Sequence, residues 1–195
     1  MSSIAYDLQF LREALNILEN YLLSKEIFWS VPINPPPGEP AYPAISLGGI
    51  LLSQARLEAQ MLSQEITPDQ VADSQEVITR VRTLRSQWRT AWEKKASLSL
   101  HARTTQWGNF LEEYRANPEG NANRYPYEVR LRVILDLLAA EVVAIPPEQK
   151  SHLEALDYIL GHSWQPSPFI WANPLQRGFP ANRFWYLYGT LKTTG

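Results

Sequence analysis

No cysteine occurs in the 195 residues. That absence excludes a disulfide framework, a zinc–cysteine cluster, an iron–sulfur site and a cysteine nucleophile. Histidine is scarce, with only His101, His152 and His162, and none belongs to an HExxH motif. With nine glycines the chain has no G-x-G-x-x-G, no Walker lysine motif and no G-x-S-x-G elbow, so it lacks the sequence marks of a phosphate-cradling loop and of a serine hydrolase. Long apolar runs are missing too. The most apolar stretch, Val133 to Ile145, is interrupted by Asp136 and Glu141, whereas a membrane span needs about 20 apolar residues. The N-terminus has no basic stretch and carries Asp7 where the apolar core of a secretory signal would fall. With 45% hydrophobic residues and a net charge of -2, these features predict an ordered, soluble, cytoplasmic protein of one domain without a membrane segment.

Proline and tryptophan are the abundant oddities, at 15 and 7 residues. Pro32, Pro35, Pro36, Pro37, Pro40 and Pro43 fill one connection, and Pro166, Pro168, Pro174 and Pro180 punctuate the C-terminal quarter. Such segments cannot be helical, because proline lacks an amide donor and restricts the residue before it. Charge is also uneven. Residues 1–76 carry ten acids and three bases, and residues 80–132 carry eleven bases and five acids. The simplest arrangement places acidic helices beside the basic one, so that each neutralises the other.

Apolar spacing divides the chain into helices. Ile4, Leu8, Leu11, Leu15, Leu18 and Leu22 line one face of a first helix, with Phe10, Ala14, Ile17 and Tyr21 beside them. The predicted fold is an all-α, single-domain bundle of five to six helices, covering about 3–30, 46–66, 68–97, 100–116, 126–145 and 147–161. Ser46 caps the second, whose buried side is read as Leu51, Ala55, Leu62 and Ile66, with Gly48 and Gly49 in its first turn either allowing close backbone approach or delaying its true start. Thr67-Pro68-Asp69-Gln70 forms a capping box for the third. One unbroken helix over 68–116 would run about 73 Å at 1.5 Å per residue, against a radius of gyration of about 16 Å for a domain of this size. Either the helix breaks near Ser97–Ser99 or Gly108, which is the favoured reading because serine and glycine are weak helix formers, or it projects and pairs with a second subunit. Residues 117–125 read as a loop, and Gly161 as a helix terminator. The segment 162–195 reads as an irregular, aromatic, proline-rich wrap, with 182–191 either helix or strand.

Few constellations suggest chemistry. Glu148 and His152 are four apart, yet no Glu-x-x-His pair exists for a di-iron bundle, so no metal and no cofactor are expected. Arg130, Ile134, Leu137 and Glu141 share a narrow arc of the central helix between two apolar ones. If both flanks are covered, Arg130 and Glu141 face a groove, with Trp171 or Trp185 as aromatic walls. Glu128, Arg132 and Asp136 read as the opposite, solvated face, with Arg132 and Asp136 at ion-pair spacing. On the third helix Arg82, Arg85 and Arg89 form a basic stripe beside Val77, Val81, Leu84, Trp88 and Trp92. Arginine next to tryptophan suits single-stranded nucleic acid, but the acidic balance favours arginines paired within the molecule.

The leading functional expectation is a non-enzymatic helical protein that interacts with a protein partner or with itself through a tryptophan- and arginine-rich surface. The alternatives are a binder of a small anionic ligand, or an enzyme without a recognisable motif, with its pocket between the central helix and the C-terminal aromatics. Nucleic-acid binding by the basic stripe ranks last.

Overall fold

A computed structural model describes residues 3–30, 32, 34–63 and 65–193. Among them, helices α1 (Ile4–Leu23), α2 (Leu47–Met61), α3 (Pro68–Gln87), α4 (Arg89–Ala116), α7 (Arg130–Ala139) and α8 (Pro147–Ser163) build the body. Single turns α5 (Pro118–Asn121) and α6 (Tyr125–Glu128) lie between α4 and α7. Strands β1 (Trp164–Pro166) and β2 (Gly189–Leu191) form a small antiparallel pair. The all-α single domain with an irregular C-terminal segment is therefore observed. Gln64 and the last two residues of the expected 162–195 wrap fall outside the described residues.

Local chemistry explains where the helices begin. The Ser3 and Ser46 hydroxyls accept from the amides of Tyr6 and Gly49, capping α1 and α2. Thr67 and Gln70 form the expected capping box. Helix ends depart further from the sequence reading. The first helix stops at Leu23 rather than near residue 30, because the chain beyond it finds other partners. The Ser24 hydroxyl donates to Tyr21 O, the buried Lys95 ammonium donates to the carbonyls of Ser24 and Glu26, and Trp29 exchanges two 2.8 Å backbone bonds with Ile45. The second helix stops at Met61, leaving Leu62 exposed instead of buried.

The break in 68–116 falls at Trp88, where φ is -107° and ψ is 31°, not at the serines or Gly108. Burial outweighs propensity here. Val77, Val81 and Trp92 on either side of the joint are in the core, and Ser99 is buried inside continuous helix. The bend lets α3 lie along α1 while α4 crosses α7 and α8.

Residues 117–125 are not a loop: α5, a 3-10 turn at Ala122–Arg124 and the start of α6 occupy them, opened by an Asn117 cap. The central helix begins after Val129 and ends at Ala139, six residues before the expected limit, as Glu141 N–H folds back to Leu138 O. Helix α8 runs through Gly161 to Ser163. The ambiguous 182–191 segment is a 3-10 turn at Trp185–Leu187 followed by strand β2.

Helix α7 is the centre, packed on α4 and α2, with α1 against α2 and α3. A Cβ at Gly48 would strike Ile134 Cγ2, so this glycine permits the α2–α7 crossing. The supposed solvated face of α7 is half-buried. Arg132 forks onto Asp157 at 2.6 and 2.8 Å and pairs with Asp136 at 2.6 Å, and the Tyr186 hydroxyl donates to Asp136. This network ties α7 to α8 and to the C-terminal wrap.

Candidate functional site

A hollow of about 540 Å³ lies where α1, α2, α4, α6–α7, the proline-rich connection and the C-terminal wrap converge. Its volume is within the range of about 300–1,000 Å³ typical of small-molecule sites. Tyr6 and Phe10 of α1, Leu52 of α2 and Ile134 of α7 supply apolar and aromatic walls. Pro40, Ala41, Tyr42 and Pro43 come from the connection, and Ile170, Trp171 and Leu175 from the wrap. Hydrogen bonds hold the walls in place. The Tyr42 hydroxyl donates to Tyr6 O at 3.0 Å, and the Trp171 indole donates to Pro126 O at 3.0 Å.

Three arginines line this hollow, and their environments differ. Arg56 donates to Asp7 at 2.6 Å, and Asp7 is wholly buried. Burial pushes the Asp7 carboxyl above its usual pKa, while Arg56 pulls it back. Arg130 pairs with Glu128 at 3.1 Å, donates to Tyr127 O and lies 3.6 Å over the Tyr127 ring. Arg103 is different. Its Nη1 donates to Gln106 Oε1 at 2.7 Å and its Nη2 to Ser46 Oγ at 2.8 Å, so both acceptors are neutral. No carboxylate pairs with it among the described residues. Burial, followed by the neighbouring Arg130 charge, lowers its pKa to about 10. The guanidinium remains charged at neutral pH but lacks a countercharge.

A second hollow of about 410 Å³ is lined by Arg82, Arg85, Arg89, Trp92, Glu93 and Glu141, with Val142 and Val143 at its rim. Here every arginine of the basic stripe is paired: Arg82 with Glu58 at 2.9 Å, Arg85 with Glu141 at 2.7 Å and Arg89 with Glu93 at 2.8 Å. Arg82–Glu58 joins the basic stripe to the acidic first part of the chain, whereas Arg12–Asp73 and Arg56–Asp7 pair within residues 1–76 and Arg89–Glu93 within 80–132, so the two parts neutralise each other less directly than the charge distribution suggested.

The structure brings Arg130 and Trp171 together at the first hollow. Glu141 is not with them. Because α7 ends at Ala139, Glu141 leaves the arc of Arg130, faces the second hollow and accepts from Arg85 and the Trp92 indole. Trp185 is also elsewhere, packed edge-on against Trp164 and Tyr186. Sequence reasoning missed Arg103, Arg56 and Ser46. A signal for Arg103 was present: it is the only base between Lys95 and Arg115, with no acid three or four positions away.

Among the described residues no group of three or more metal-ligating side chains occurs, and no helix is long and apolar enough to cross a membrane. The chain matches no protein-family model, no curated protein and no solved structure.

Proposed function

We propose that this protein binds a small organic anion in the hollow between the central helix and the C-terminal wrap. One observation carries this: Arg103 holds a desolvated positive charge against the cavity with only neutral partners. A buried charge without a countercharge is costly, and an anionic ligand would supply the missing partner. Aromatic and proline walls around a few convergent polar groups also suit a small-molecule site.

Interaction with a protein partner or self-association has less support. The tryptophans that were to offer an interface are largely internal, with Trp92, Trp107 and Trp171 all buried, and the stripe arginines are matched to carboxylates. Thermal unfolding in a panel of small organic anions, run in parallel on Arg103→Gln, tests the binding role. At least one anion should raise the midpoint of the native protein and leave the variant unchanged. Equal responses in both proteins, or none in either, would refute it.

A further inference from the structure

We infer that the ligand is a monocarboxylate on a flat apolar body, held by the Arg103 guanidinium and the Ser46 hydroxyl. This rests on the anion-binding reading above and narrows it. The first argument is charge balance. Of the three cavity arginines, Arg56 is matched by Asp7 and Arg130 by Glu128, which leaves one positive charge, on Arg103. A singly charged anion restores neutrality. A doubly charged phosphate would leave a negative surplus in a half-buried space, where unmatched charge is expensive.

The second argument is donor geometry. Arg103 has five N–H donors, of which Gln106 and Ser46 engage two. Ser46 is 1% exposed and lines the cavity. Its oxygen accepts from Arg103 and from the Gly49 amide, while its hydroxyl proton meets no acceptor among the described residues. A planar guanidinium edge beside a free O–H suits the two oxygens of a carboxylate. Among the described residues, no lysine and no run of backbone amides from a glycine-rich loop lines the hollow to serve a phosphate.

The third argument is the remainder of the wall. Tyr6 and Tyr42 lie with ring centroids 4.3 Å apart, and Phe10 is 5.7 Å from Tyr42. Trp171 lines the same hollow, braced edge-on by Phe179 at 5.3 Å. Such surfaces take up flat hydrocarbon, since offset and edge-on ring contacts add to simple area burial.

A matched set of probes decides the matter: 2-naphthoate, 2-naphthyl phosphate and 2-naphthamide, titrated calorimetrically into the native protein and into Arg103→Lys. The expected result is binding of 2-naphthoate at least tenfold tighter than of the phosphate or the amide. Arg103→Lys, which keeps the charge and loses the fork, should weaken naphthoate at least tenfold while its circular dichroism and unfolding midpoint report a folded chain. Phosphate binding as tight as naphthoate would overturn the carboxylate assignment and leave the anion reading intact. Amide binding as tight as naphthoate would overturn both. Silence from all three probes would overturn the flat-carboxylate assignment, and the broader reading would then stand or fall on the anion panel.

Discussion

Two hollows in this molecule each contain three arginines and at least one tryptophan, and they behave in opposite ways. In the one lined by Arg82, Arg85 and Arg89, each guanidinium has its own carboxylate within 2.9 Å. In the other, Arg56 and Arg130 have carboxylates and Arg103 has a serine and a glutamine amide. An arginine count would rank the two alike. What separates them is whether the charge is already matched, and the proposed anion site rests on the hollow where it is not.

The largest expected effect comes from unmatching a second charge in the hollow that holds Arg103. Arg56→Met would leave the buried Asp7 without its cation and should cost about 3–5 kcal/mol at neutral pH. Because the folded Asp7 pKa is raised above its unfolded value, protonation relieves the penalty, which should shrink as pH falls toward the ordinary carboxyl range. Urea denaturation at two pH values checks both the size and the sign. A penalty that grows on acidification would contradict the burial of Asp7.

Burial on this side also penalises negative charge. The Tyr21 hydroxyl, buried at the start of α2, accepts from Leu47 N–H and donates to Ile27 O. Desolvation raises its pKa from 10.0 to about 12. The folded chain thus holds this proton more tightly than the unfolded chain. The associated stability is fully present below pH 10 and is lost as pH climbs to about 12, amounting to about 2.7 kcal/mol at 1.36 kcal/mol per unit. Denaturation curves across that window should fall steeply, and Tyr21→Phe should flatten them.

The smallest effect is the sharpest test, because it predicts a difference in sign. Arg103→Gln removes a desolvated, unmatched charge and should stabilise the ligand-free protein by about 1 kcal/mol, the usual trade of function against stability. Arg85→Gln removes one member of a pair in which Arg85 is half-exposed, and should destabilise by about 0.5 kcal/mol or less. Parallel urea titrations that shift in the same direction would erase the distinction between the hollows.

Much of the fold was legible because apolar spacing and caps are local signals. The Leu and Phe stripes of α1, the Ser46 cap and the Thr67–Gln70 box are all observed. Helix ends were not legible, since tertiary partners decide them. Lys95 and the Trp29–Ile45 bridge end α1 from far along the chain, and the packing of Trp88 and Trp92 sets the bend that serine content suggested elsewhere. The site was half legible for the same reason. Arg130 and Trp171 followed from the apolar flanks of α7 and the aromatic wrap. Grouping Glu141 with Arg130 assumed a helix that runs six residues beyond the C-terminal end of the one that forms. Arg103 was overlooked because an isolated base on a polar stretch carries no periodic mark.

The proline-rich connection has one more consequence. Its rings fix φ at Pro40 and Pro43, on either side of Tyr42, and the Trp29–Ile45 bridge clasps its base. Much of the disorder this wall could have had was removed when the peptide was synthesised, before any guest arrives. An anion entering this hollow as proposed would need little freezing of a floppy rim, and more of the attraction between host and guest would be retained as affinity.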